Sequence, residues 1–187
     1  MALTLGVAAP APAQTHGPHV HGAARLNVAL DGASIWLEAT LPAADVVGFE
    51  HAPENETDRA AVSAAVATLQ DAEALYVFPA EAGCRLDEAE VASELLEAGA
   101  GHDHDKDHAD HKGDDRRKDA DEADVDGHAD FVATAIFRCA EPAKAVYVDV
   151  ALFKPFPTLH EIDAQAVTQA GQIAEELTPE APRLGLR

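Results

Sequence analysis

An α+β domain built mostly of antiparallel sheet is the fold the sequence predicts, and three observations carry that prediction. Alternations of apolar and polar residues with period two recur in both halves of the chain. One segment of the first half places apolar residues at helical spacing, and a long acidic stretch interrupts the pattern without adding apolar residues of its own.

The chain opens on a short apolar run ending Ala11-Pro12-Ala13, a small-residue A-x-A pattern. Residues 1–13 are therefore read as a signal-peptide remnant whose true start lies upstream of Met1, with Gln14 first in the mature chain. Leu26, Val28 and Leu30 then alternate with Asn27 and Ala29, Asp31-Gly32 supplies a turn, and 35–41 continues as a second strand. This predicts a β-hairpin. Between Thr57 and Gln70, Val62, Val66 and Leu69 fall at i, i+4 and i+7, which predicts an amphipathic helix. Leu75-Tyr76-Val77-Phe78 reads as a short strand. Residues 87–97 stay open: they have helical propensity, yet Val91, Ser93 and Leu95 equally make one face of a strand paired with 131–137. The β-branched and aromatic runs 131–137 and 145–153 predict a second hairpin, and two hairpins hint at a loose internal duplication.

Composition changes at Gly99 and changes back near Asp130. Residues 101–130 hold 12 Asp or Glu, five Lys or Arg and five His, with Val125 their only large aliphatic residue. Such a segment buries too little apolar surface to offset the entropy of ordering. Residues 99–130 are therefore expected to be a disordered His/Asp-rich loop inserted into one discontinuous domain formed by 14–98 and 131–187. Cys84 and Cys139 stand 55 positions apart on either side of it and lack the spacing of a structural zinc site. A disulfide is the economical reading. It implies an oxidising compartment and is expected to staple the base of the loop.

Charge narrows the function. In 187 residues, 34 Asp plus Glu oppose 13 Lys plus Arg, a formal net charge of −21. A field of that sign repels nucleic-acid phosphates and anionic lipid headgroups, so neither is expected as a partner. No run of apolar residues is long enough to span a membrane. Catalytic signatures are absent as well: His160-Glu161 lacks the second histidine of H-E-x-x-H because position 164 is Ala164, and no G-x-S-x-G or phosphate-binding loop occurs. The protein is read as a non-enzyme.

Ten histidines are the anomaly. Neutral imidazole is the commonest side-chain ligand of zinc, and also takes copper and nickel. His16, His19 and His21 precede the first strand, and residues i and i+2 of extended backbone point to the same side, so His19 and His21 are placed to share an ion. His102, His104, His108, His111 and His128 lie among aspartates, a compositional signature of metal binding in which carboxylates lower the cost of bringing in a dication. Glu50-His51, on a loop bounded by Gly48 and Pro53, is a weaker candidate, as is His16. A mature N-terminus Gln14-Thr15-His16 would suit square-planar nitrogen coordination of Cu(II) or Ni(II). Secreted copper or nickel sequestration and a metal-free interaction module are the alternatives to zinc capture.

The chain resembles the zinc-regulated periplasmic zinc-binding proteins of Gram-negative bacteria. The likeness rests on His19-Val20-His21-Gly22-Ala23, the string from Leu41 to Pro53 that contains Gly48-Phe49-Glu50-His51-Ala52-Pro53, and Ala82-Gly83-Cys84. It continues through the His/Asp-rich segment, Phe137-Arg138-Cys139, Phe156-Pro157 and Glu176-Leu177-Thr178. The resemblance implies a periplasmic, two-layer α/β sandwich with two-fold pseudo-symmetry and a disulfide. It also implies zinc as the bound metal and assistance to high-affinity zinc import, with the substrate-binding protein of a zinc ABC importer as partner. The segment is richer in aspartate and poorer in histidine than the family usually shows, and His160 is not part of the family pattern.

Overall fold

The computed structural model describes residues 21–98 and 129–187. The expected signal remnant 1–13 and the body of the expected loop, 99–128, lie outside them. In chain order the elements are β1 (Ala23–Asp31), β2 (Ser34–Pro42), α1 (Ala43–Val46), α2 (Glu56–Gln70), α3 (Ala72–Leu75), β3 (Tyr76–Val77), β4 (Cys84–Ala92), α4 (Glu94–Ala98), β5 (Asp130–Cys139), β6 (Tyr147–Val150), β7 (Glu161–Thr168), β8 (Gly171–Leu177) and β9 (Arg183–Gly185). The described residues are mostly strand, in a six-stranded sheet ordered β4-β5-β2-β1-β7-β8 and a three-stranded sheet ordered β3-β6-β9.

Period-two alternation sets the first hairpin as expected. Leu26 and Val28 of β1 lie opposite Ala39 and Leu37 of β2, all buried, whereas Asn27 and Ala29 face Glu38 and the half-exposed Trp36 on the other side. Gly32, with φ +60°, turns the chain in the left-handed region that a Cβ disfavours. β5 extends the buried face by placing Phe131, Ala133, Ala135 and Phe137 opposite Leu41, Ala39, Leu37 and Ile35. Any one-residue slip would turn this whole row out to solvent, so burial enforces the register.

Helix α2 forms where the spacing places it. Asn55 caps it by accepting the Asp58 N–H at 3.0 Å, which satisfies a donor of the first turn, while the Asp58 carboxylate accepts from the N–H of Glu54, just before the cap, at 3.0 Å. Val62, Ala65 and Leu69 are buried and Val66 packs beside them. The helix lies against β4, as does α3.

Several expectations are corrected. Runs 131–137 and 145–153 do not form a hairpin: both edges of β5 are occupied, by β2 and β4, and β6 pairs instead with β3 and β9 in the smaller sheet. Pro142 and the short 3-10 turn Pro142–Lys144 carry the chain from one sheet to the other. The hint of duplication loses the hairpin it rested on. Strand 75–78 shrinks to β3, because Leu75 ends α3 and Pro79 follows Phe78. Segment 87–97 resolves into both alternatives in turn: β4 runs to Ala92, paired with β5 as the strand reading required, and α4 follows. The parallel pairing of β1 with β7 makes the larger sheet mixed.

The disulfide Cys84–Cys139 is present, but it does not staple the base of 99–128. Cys84 begins β4 and Cys139 ends β5, so the bond closes one end of that strand pair, while Ala92 opposite Val132 closes the end from which 99–128 departs. Cysteines on the outer flanks of two antiparallel strands are a full strand length away from whatever joins the inner flanks.

The two sheets meet in one core. Phe137, on the buried face of β5, contacts Tyr76 of β3 and Phe78 edge-to-face, with ring centroids 6.5 and 5.1 Å away. The Tyr76 hydroxyl is buried with no hydrogen-bond partner among the described residues, and burial pushes its phenol well above the usual range. Tyr76→Phe is accordingly expected to stabilise the fold by about 1 kcal/mol, by removing a desolvated donor while keeping the ring. Urea unfolding of the two proteins checks this, and a destabilised variant would show that the hydroxyl has a partner.

Candidate metal centre

Topology sorts the connections of the six-stranded sheet to its two ends. The Gly32 turn, the β7–β8 turn and the disulfide occupy one end. The start of β1, helix α1 after β2, helix α4 after β4, the start of β5 and the start of β7 occupy the other. The described candidate ligands follow the second group, which also carries both chain ends flanking 99–128. There, Ala129 accepts the Ala43 N–H at 2.8 Å, which ties the entry of β5 to α1.

His21 is exposed and stands next to Gly22, where three remote segments are locked together. The Gly22 N–H donates to Asp45 Oδ2 at 2.7 Å, and its carbonyl accepts the His160 and Glu161 N–H groups at 2.8 and 3.1 Å. The Thr158 hydroxyl donates to the Asp45 carbonyl at 3.0 Å, which closes the ring of contacts. Gly22 has φ +85°, and a Cβ there would sit 3.1 Å from Cδ2 of the His160 ring. Only glycine meets both conditions without strain. The Gly22 amide bond to the Asp45 carboxylate, together with the two bonds to the Gly22 carbonyl, holds the entry to β1 firmly even though the imidazoles around it are exposed.

His51 lies on the loop that leaves α1, stacked on Phe49 with ring centroids 4.9 Å apart. Its Nδ1 is 2.9 Å from the Ala52 carbonyl. A proton on Nδ1 donated to that carbonyl leaves Nε2 as the free electron pair, the arrangement by which metal-ligating histidines are usually oriented. Glu50 beside it is half-buried. Among the described residues no three His, Cys, Asp or Glu side chains converge into a closed metal site.

His16 and His19 lie outside the described residues, as do His102, His104, His108, His111 and His128. His160 is the residue that sequence reasoning set aside: on the chain it is far from His21, and only the parallel pairing of β1 with β7 puts it beside Gly22. Asp45 was likewise missed, since nothing local distinguishes it from other surface aspartates. Ala164, the position that spoils H-E-x-x-H, is buried within strand β7, so the backbone also lacks the helix that motif requires. No helix among the described residues is long and apolar enough to cross a membrane.

Comparison with curated proteins finds no match. The family model described as ZrgA family zinc uptake protein matches residues 18–186, which takes in β1 through β9, the string around His51 and the His/Asp-rich segment. With nine-tenths of its length covered by that match, the chain belongs to the ZrgA family of zinc uptake proteins.

Proposed function

We propose that the protein is a periplasmic, non-enzymatic zinc-capture protein, brought there by a signal peptide. In this reading it is a two-layer α/β sandwich formed by 14–98 and 131–187, carrying 99–130 as its His/Asp-rich metal-binding loop. It raises the zinc concentration available to the substrate-binding protein of a zinc ABC importer.

The observation that carries this reading is the interleaving of five imidazoles with 12 carboxylates in residues 101–130. Carboxylates draw a dication in and imidazoles hold it, and several weak sites close together recapture an ion that one site releases. His102, His104, His108, His111 and His128 serve as that collecting surface. His19 and His21 form a tighter site, with His16, Glu50 and His51 as supporting ligands. Support for a role of the folded domain comes from the shared end of the sheet, where His21 and both flanks of 99–128 are found.

Isothermal titration of zinc into the intact protein, beside a variant lacking 101–128, tests the proposal. The intact chain is expected to take up several zinc ions. The variant is expected to keep its tightest event and lose the weaker ones. An intact chain that binds no zinc would refute zinc capture; tighter binding of copper under direct competition would not, because imidazole sites favour Cu(II) whatever their cargo.

A further inference from the structure

We infer that His160 is a zinc ligand acting with His21 across the start of the β1–β7 pair, an inference that rests on the zinc-capture reading. The sequence separates the two residues widely, yet the His160 N–H is bonded to the carbonyl of Gly22, the residue that follows His21. Cδ2 of the His160 ring lies 3.1 Å from where a Gly22 Cβ would sit, and both histidines are exposed.

Both imidazoles are exposed, so each can turn about its side-chain torsions toward a common ion. Such turning of exposed side chains is fast and costs little. The backbones that carry them are not free: Asp45 holds the Gly22 N–H, and the amides of His160 and Glu161 hold its carbonyl. This combination, a fixed backbone with rotatable imidazoles, fixes the points from which the donors reach while leaving the ion open to water. The His160 amide is bonded to the residue that follows His21, so the two histidines are carried on adjoining backbone segments.

An open site also suits the chemistry of a cargo ion. Structural zinc sites close four protein ligands around the metal and release it slowly, whereas a site with two imidazoles and remaining water positions exchanges its ion. The pair at Gly22 is therefore a loading point from which zinc is passed on. Asp45 acts through the Gly22 backbone and is a positioning residue.

The test titrates zinc alone into the full chain and into His160→Ala, His21→Ala and the double variant. His160→Asn guards against a packing effect on Gly22, because it keeps a polar side chain of similar reach. Each single variant is expected to weaken the tightest event by at least the roughly 10- to 100-fold that even outer-shell partners of metals are worth. The double variant is expected to weaken it little further, while the remaining stoichiometry persists. Direct ligation also predicts that zinc shifts the His160 ring nitrogen resonances in the intact protein, a signal that a purely structural role would not produce. Unchanged tight binding in His160→Ala, or ring resonances indifferent to zinc, would overturn the role of His160 and leave zinc capture standing. A wild-type chain that binds no zinc would overturn both.

Discussion

Replacing Cys84 and Cys139 together by alanine is expected to lower the unfolding free energy by about 4 kcal/mol, the chain-entropy cost of opening a ring of 55 residues. For a chain of this size that corresponds to a melting temperature lower by roughly 10 °C. The bond joins the first residue of β4 to the last of β5, at the end of the sheet away from His21 and His160. Zinc affinity at a temperature where the variant is folded is therefore expected to be unchanged. Thermal unfolding and zinc titration of the same sample separate the two effects. A variant that melts normally would show that the ring entropy is offset elsewhere, and one that is folded but has lost zinc would show that the two ends of the sheet are coupled. Deleting 101–128 halves the ring, and because closure entropy grows only logarithmically it is expected to reduce the contribution of the disulfide by only about 0.6 kcal/mol.

Phe137→Ala is expected to cost about 3–5 kcal/mol, the range for emptying a fully packed aromatic site. Phe137 is 2% exposed, lies opposite Ile35 of β2 and Leu86 of β4, and meets Tyr76 and Phe78 edge-to-face. It joins the six-stranded sheet to β3 through Tyr76. The neighbouring positions of β5, Ala133 and Ala135, are too small to spread into the space. Phe137→Leu retains most of the volume and is expected to lose well under half as much. Denaturant titration of the two variants distinguishes a cavity at the junction of the sheets from a general loss of apolar surface. Near-equal losses for alanine and leucine would assign the effect to the aromatic contacts rather than to volume.

The limits of sequence reading follow the range of the interactions involved. The β1–β2 hairpin is legible because alternation and a glycine turn act over a few residues. The same holds for α2, whose apolar spacing lies within fifteen residues; its Asn55 cap is seen only in the structure. Segment 87–97 was ambiguous because strand and helix occur there one after the other, and propensity averages over both. The hairpin expected from 131–137 and 145–153 failed because proximity along the chain favours pairing of neighbours, whereas β2 and β4 had already satisfied both edges of β5. Sequence pattern contains no term for a competing partner.

For the metal site the division is similar. The sequence by itself determined the chemistry: ten histidines in a chain of net charge −21, five of them among aspartates, and two cysteines poised to pair. Those are properties of composition and spacing, and they require no contact between distant residues. Tertiary structure alone decided which distant residues meet. The parallel registration of β1 with β7 brings His160 to Gly22, Asp45 latches the same glycine from α1, and the disulfide is carried to the far end of the sheet. Each of these follows from the pairing of distant strands around one buried core, a cooperative outcome that no local segment encodes.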